Sequence, residues 1–325
     1  MKRIQIVPFE EQYIEACARI GVQAWEGVHE AYIACIGEDI HEAAMGSWRQ
    51  AKELSVQALQ AGSGLVALLD GKAAGYISFK AKGITGKITD CAVAPELWNG
   101  GIGDRLFKAA LDALRGAGCK YAAAEPGLED YFAAARRLCR KNGFEKDLPS
   151  ITYYQTLDPE MEPYATQSDT VQVVPCEEKH LEDCARITLT AWNIIHDSYI
   201  SCIGEKMHNE VFAGWQESTV NSTKNQQMSG NGYVALVDGK VAGFASYRTD
   251  GKLGVVSRNA VDPAFRGRGI AKLLYGTLIN CMIADGYRYA KVHTGLDEGH
   301  TGARKAYGKV GFERNLQASC YYREL

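Results

Sequence analysis

One domain is written twice in this chain, and that duplication limits the possible folds more than any bulk property does. Ile4-Gln5-Ile6-Val7-Pro8 returns as Val171-Gln172-Val173-Val174-Pro175, Ala24-Trp25 as Ala191-Trp192, and Ala34-Cys35-Ile36-Gly37-Glu38 as Ser201-Cys202-Ile203-Gly204-Glu205. Further along, Asp70-Gly71-Lys72 returns as Asp238-Gly239-Lys240 and Gly143-Phe144-Glu145 as Gly311-Phe312-Glu313. The offset is 167 residues from Ile4 to Val171 and 168 from Asp70 to Asp238, so one insertion or deletion separates the copies. A period this long marks a duplicated domain, since solenoid units run to roughly 20–50 residues. The 325 residues are therefore read as a first domain at 1–157, a linker at 158–170 around Pro159 and Pro163, and a second domain at 171–325.

A net charge of -3 gives no electrostatic reason to expect nucleic acid or an anionic membrane as partner. Met1-Lys2-Arg3-Ile4-Gln5 opens no export signal and no run reaches the length of a membrane span, which places the protein in the cytoplasm. The ten cysteines form no CxxC pair and read as reduced thiols, with Cys17 matching Cys184 and Cys35 matching Cys202 as inherited core positions. No metal is expected, because the seven histidines do not fall at ligand spacing with those cysteines.

In the second copy, Val171 to Val174 alternates and stops at Pro175, as a first strand would. Apolar positions predict a helix over 178–193 and a second over 205–219. Tyr233–Val237 and Val241–Ala245 flank Asp238-Gly239, a hairpin signal because both turn residues tolerate positive φ. A third strand spans 253–261. After it Ile270, Leu273, Leu274, Thr277, Leu278 and Cys281 share one helix face. A strand at 289–293, a helix at 301–310 ended by Gly311, and a strand at 317–322 complete the order β-α-α-β-β-β-α-β-α-β. The fold class is α+β with mixed, mostly antiparallel pairing.

Between the third strand and the helix lies Arg266-Gly267-Arg268-Gly269-Ile270-Ala271. Glycines let successive backbone N–H groups converge, the helix N-terminus adds partial positive charge, and Arg266, Arg268 and Lys272 add full charges, so the turn suits pyrophosphate. A bland alternative is a tight turn with solvated arginines. The dinucleotide fingerprint fails, because Lys272 replaces its third glycine and a hairpin precedes the turn. The ATP-binding loop fails for want of Gly-Lys-Ser/Thr.

Arg266-x-x-Gly269-x-Ala271, followed by Ala303-x-x-x-Tyr307-x-x-x-Gly311-Phe312, resembles the GNAT superfamily of acyl-CoA-dependent N-acyltransferases. The resemblance covers 171–325 and, through the repeat, 4–157 more weakly. It implies two tandem GNAT-like domains, each a mostly antiparallel sheet flanked by helices. It also implies that Arg266, Gly267, Arg268, Gly269, Ile270, Ala271 and Lys272 bind the pyrophosphate of acetyl-CoA or another short acyl-CoA, and that Ala260 and Val261 pair with its pantetheine arm. The implied reaction moves the acyl group to a primary amine, on a small molecule or peptide, by direct attack in a ternary complex. An acyl-CoA sensor without acceptor chemistry is the alternative from another class, and the chain is expected as a monomer or homodimer.

The same resemblance makes Tyr307 the proton donor to the departing thiolate; a phenol, with a pKa of about 10 against about 8.5 for a thiol, suits that task. His293, at the end of its strand, is the expected base or else a histidine paired within the sheet. His300 stands where the family often has Asn, and is either a pantetheine contact or a helix cap. Trp192, His196 and Tyr199 lie on one helix face as candidate acceptor contacts, yet Trp25, His29 and Tyr32 repeat them, which equally suits packing. In the first copy Trp98 replaces Arg266, Asp104 replaces Lys272 and Cys139 replaces Tyr307, so that copy is expected to be degenerate and non-catalytic.

Overall fold

A computed structural model describes residues 4–59 and 63–325, so Met1 to Arg3, the start of the segment searched for an export signal, lie outside the described residues. The first half runs β1 (Ile4–Pro8), α1 (Ile14–Ile36), α2 (Glu38–Met45), α3 (Trp48–Gln57), β2 (Gly64–Leu69), β3 (Lys72–Lys82), β4 (Thr85–Val93), α4 (Ile102–Gly116), β5 (Tyr121–Ala124), α5 (Ala133–Lys141) and β6 (Lys146–Thr156). The second repeats it as β7 (Gln172–Pro175), α6 (Leu181–Ile203), α7 (Glu205–Val211), α8 (Trp215–Gln227), β8 (Gly232–Val237), β9 (Lys240–Asp250), β10 (Leu253–Val261), α9 (Ile270–Ala284), β11 (Tyr289–Gly295), α10 (Thr301–Gly308) and β12 (Arg314–Glu324). Where the sequence predicts two helices after the first strand, three form. The first runs ten residues beyond 193, to Ile203, and ends at Gly204, whose φ of 85 on the matching Gly37 and 84 here no helix continues. Asp238 and Gly239 take the predicted positive φ, 48 and 76.

The chain forms two compact units that do not coincide with its halves. One comprises Met1–Gly37, Met45–Pro149 and Gln317–Leu325; the other comprises Glu38–Ala44 and Ser150–Leu316. Strand order is β1-β2-β3-β4-β5-β12 in the first unit and β6-β11-β10-β9-β8-β7 in the second. β4–β5 and β10–β11 pair in parallel. Each sheet thus ends in a strand from the other half of the sequence: Tyr321–Glu324 lies antiparallel to Ala124–Tyr121, and Ser150–Thr156 to Gly295–Tyr289. The repeat explains why both arrangements fit. Tyr153-Tyr154 and Tyr321-Tyr322 are the same dipeptide in matching strands, so side-chain pattern alone does not choose between the two sheets.

The linker segment is strapped to the second unit. Tyr164 N donates to Asn280 Oδ1 at 3.0 Å, Asn280 Nδ2 donates to Tyr164 O at 2.9 Å, and Tyr164 Oη donates to Val310 O at 2.9 Å. Gly276 permits the approach, because a Cβ there would lie 2.6 Å from Tyr164 Cβ. The strap lies against Gly276 and Asn280 of α9, and Tyr275, Gly276 and Ile279 are buried in addition to the predicted Ile270, Leu273, Leu274, Thr277 and Leu278. Cys281 is only half-buried. Among the matched cysteines, Cys17 and Cys184 are core, whereas Cys35 and Cys202 are exposed near helix ends; the core reading holds for the first pair and is corrected for the second.

A fragment of 171–325 lacks β6 and leaves the edge of β11 open over seven paired positions. We expect 171–325 to aggregate or to unfold without a cooperative transition, and extension to 150–325 to restore cooperativity, as read by thermal circular dichroism and size-exclusion chromatography. A monomeric, cooperatively folded 171–325 would contradict this.

Candidate functional site

The site in the second unit starts from a break in strand pairing. β10 meets β11 only from Leu253–Val256 against Tyr289–Val292. Beyond Val256 its register against β9 shifts before resuming at Asn259↔Ala245, Ala260↔Phe244 and Val261↔Gly243. From Ser257 to Val261 the strand therefore runs without β11 as a ladder partner. Ala260 and Val261, expected as pantetheine partners, lie on this stretch.

Asn259 sits at the bulge, and two phenols converge on it. Its Oδ1 accepts from Tyr275 Oη at 2.7 Å and from Tyr307 Oη at 3.2 Å, while its Nδ2 donates to Ser257 O at 3.0 Å. The Tyr275 and Tyr307 ring centroids are 4.8 Å apart. Tyr307 is 2 % exposed, and burial raises its pKa, so the phenol keeps its proton at neutral pH. Sequence reasoning singled out Tyr307 but not Asn259 or Tyr275, which the structure brings against it. The available signal was Ser257-Arg258-Asn259, three polar residues within an otherwise apolar strand, which is how a bulge reads.

After β10, Asp262 ties down the turn. Its Oδ1 accepts from Ala264 N at 3.0 Å and its Oδ2 from Arg186 Nη1 at 2.7 Å. Burial pushes this carboxyl up, but the hydrogen bonds and the Arg186 charge outweigh burial and hold it below its ordinary range. Gly267 and Gly269 then take φ of 82 and 76, and α9 starts at Ile270 with no side-chain cap. A Cβ on either glycine would meet nothing within 4 Å, so the backbone here is bare. Arg266, Arg268 and Lys272 are exposed beside it, and the Arg268 guanidinium lies 5.4 Å from the Phe265 ring centroid.

In the first unit Gly101 is equally bare at the helix start, but the groups around it differ. Trp98 Nε1 donates to Val93 O at 2.8 Å, on the residue that matches Val261. Asp104 bonds Lys108, Lys141 and Asn142, and the Lys108 hydrogen bond foremost, with Lys141 and Asn142, holds its carboxyl down at about 2 against the pull of burial. Cys139 is buried where Tyr307 stands in the second unit.

An aromatic pocket of about 370 Å³ opens among α6, α7 and α8, and Trp192, His196, Tyr199, Phe212, Trp215 and His300 contribute to its lining. The three predicted acceptor residues are thus brought together. His196 stacks on Trp215 with centroids 3.7 Å apart, and its Nδ1 lies 2.7 Å from His208 Nε2. Burial first, then the neighbouring His208, lowers its pKa to about 4. His300, expected as a pantetheine contact or a cap, lines this pocket with its Nδ1 2.7 Å from Asp297 Oδ2. His293 does not join the group. It is exposed, with Nδ1 3.0 Å from Thr152 Oγ1, and strand alternation puts it on the face opposite Val292, which packs in the core cluster of Tyr307. Among the described residues no group of three or more His, Cys, Asp or Glu could hold a metal ion, and no helix is long and apolar enough to cross a membrane.

The sequence model of the acetyltransferase (GNAT) family matches twice, over residues 25–144 and 191–312, which together exceed half of the chain. The chain belongs to the GNAT acetyltransferase family. Solved structures share its fold. The GCN5-related N-acetyltransferase from Sphaerobacter thermophilus superposes with a TM-score of 0.64 at 15% identity, covering 99% of this chain and 95% of that one. The tandem GNAT protein from the clavulanic acid biosynthesis pathway, solved without AcCoA, gives 0.54 at 14%, covering 99% and 98%. A comparison with curated proteins found no match. As a GNAT protein with two tandem domains, the chain is an acyltransferase.

The buried His196 makes a stability prediction. In the unfolded chain it protonates near 6.5, and in the native protein only near 4, so its contribution is intact above 6.5 and is lost as pH falls toward 4. His41, also lowered by burial, adds to the same loss. His196→Gln should flatten part of the fall in Tm between pH 6.5 and 4, measured by thermal scans. An unchanged slope would place that pH dependence elsewhere.

Proposed function

We propose that the second unit transfers a short acyl group, acetyl in the first instance, from acyl-CoA to a primary amine, and that the first unit is catalytically silent. The observation that carries the reading is that a bare, arginine-flanked helix N-terminus, an open strand edge and a proton-holding phenol all occur in one unit.

Arg266, Arg268, Lys272 and the N–H groups at the start of α9 would hold the pyrophosphate, where charge-assisted hydrogen bonds add to the helix dipole. Fit is favourable there, because nothing in the protein fills the volume above Gly267 and Gly269. Ala260 and Val261 would take the pantetheine arm as an added strand partner. The bound coenzyme supplies the acyl thioester. Tyr307, kept protonated by burial, would hold the proton destined for the thiolate, and Asn259 orients its hydroxyl. In the first unit the Trp98 indole caps the matching carbonyl and Asp104 brings negative charge to the helix start, where it opposes phosphate.

Tyr307→Phe should leave acetyl-CoA affinity nearly unchanged while lowering turnover roughly 10²- to 10⁴-fold. Wild-type turnover would remove Tyr307 from the mechanism. Isothermal titration of the full chain with CoA should give one site, lost when Arg266 and Arg268 are both changed to Glu. Two sites per chain would contradict a silent first unit.

A further inference from the structure

The aromatic cluster that lines the pocket recurs in the first unit, and the difference between the two versions is informative. His196 stacks on Trp215 at 3.7 Å and 16°, and His29 stacks on Trp48 at 3.9 Å and 14°, so this stack is shared architecture. The position of His300 differs. In the first unit it is Phe132, packed against Trp25 and Tyr32, with Glu129 in place of Asp297. At this position a histidine oriented by a carboxylate thus stands in the unit that also has Arg266, Arg268 and Tyr307, and a phenylalanine in the other.

From this juxtaposition we infer that His300, oriented by Asp297, is the base that neutralises an acceptor ammonium in the pocket, and that the acceptor is a monoamine on a flat apolar body. The inference rests on the acyl transfer proposed above. Asp297 is mostly buried, and the hydrogen bond from His300 overcomes burial to hold its carboxyl below its ordinary range, so it is ionised. It accepts from His300 Nδ1–H, which fixes the tautomer and leaves the Nε2 lone pair to the pocket. The step is one proton transfer: R–NH₃⁺ gives its proton to Nε2, leaving a neutral amine and an imidazolium that Asp297 stabilises. Solvent later takes that proton. Asp297 is a positioning residue.

His196 is the rival base within the pocket, and it is too weak, with a pKa near 4 and a counterpart in the unit without Tyr307. His293 is exposed, bonds Thr152 and is not among the residues that line the pocket. The groups facing His300 are few. Asp297 belongs to its own turn, and Arg304 of α10 donates to the carbonyls of Gly295 and Asp297. From α6 come Tyr199, its ring 6.5 Å away and pushed up to about 12 by burial, and His196.

The acceptor class follows from the walls. Trp192, Tyr199, Phe212 and Trp215 offer aromatic faces, Ser218 and Thr219 offer hydroxyls, and no acidic side chain lines the pocket among the described residues. Arg258 stands 5.6 Å from the Trp192 ring centroid and disfavours a second positive charge. At about 370 Å³ the pocket is near the lower end of the roughly 300–1,000 Å³ typical of small-ligand sites.

The test uses the full chain with 2-phenylethylamine and putrescine as probes. In the absence of coenzyme, an NMR titration should resolve one imidazole whose signal disappears in His300→Gln and whose pKa falls in Asp297→Asn. With acetyl-CoA, kcat/KM for 2-phenylethylamine should exceed that for putrescine. His300→Gln should lower it roughly 10²- to 10³-fold and remove the acid limb, while Asp297→Asn moves that limb to lower pH. If 2-phenylethylamine is acetylated and His300→Gln keeps the wild-type rate and profile, the base assignment fails while acyl transfer stands. Preference for putrescine overturns the acceptor class. If acetyl-CoA binds and neither amine accelerates thiol release, acyl transfer itself is the reading that fails.

Discussion

Between Val256 and Asn259 the ladder of β10 slips against β9, and the whole site in the second unit is arranged around that slip. Without it β10 and β11 would stay paired to their ends, with no open backbone beyond Val256. The bulge costs ladder hydrogen bonds, and Asn259 offsets part of that loss by accepting two phenols, each such bond worth about 1 kcal/mol net. The first unit has the same slip, between Ser78 and Phe79 on the partner strand, but Cys91, Phe107 and Cys139 stand in place of Asn259, Tyr275 and Tyr307. Next to Cys91, at the position of Arg258, Asp90 accepts from Tyr76 at 2.6 Å, Lys52 at 3.0 Å and Trp25 at 3.2 Å. Lys52 also lies 3.8 Å from the Trp25 ring centroid. One backbone irregularity thus carries a hydrogen-bonded phenol pair in one copy, and two thiols with a phenylalanine at the same positions in the other.

What the sequence made legible was governed by local rules. The Asp238-Gly239 hairpin, the limits of β10 and the buried stripe of α9 all follow from turn chemistry or periodicity within a dozen residues. The glycine turn was readable for the same reason. What stayed hidden depends on which segments meet in space. Asn259 looks like any polar strand residue until Tyr275 and Tyr307, 16 and 48 positions away, close on it. His300 reads as a helix cap until α6 brings Tyr199 beside it. His293 looked suitable because it ends a strand near the motif, yet a period of two residues turns it to the wrong face.

Strand exchange was invisible for a further reason. A duplicated sequence carries two copies of every pairing instruction, and Tyr153-Tyr154 and Tyr321-Tyr322 satisfy either sheet. Choice of partner then rests on tertiary detail, such as the hydrogen bond from Ser319 Oγ to Asp147 Oδ2 or from Gln317 N to Glu129 Oε1, both within the first unit. Those contacts join residues more than 170 positions apart.

That connectivity has a consequence for how the protein comes into being on the ribosome. The first 149 residues hold most of one unit, yet the strand that completes its sheet begins pairing only at Tyr321. At ~5–20 residues per second, the intervening stretch takes roughly 10–30 s to synthesise. Throughout that interval the outer edge of β5, a short run of tyrosine and alanines, lacks its partner and can be captured by any other nascent strand. The half that is translated first therefore finishes last, and crowded polysomes, where identical nascent chains sit side by side, are where its misassembly into swapped oligomers would begin.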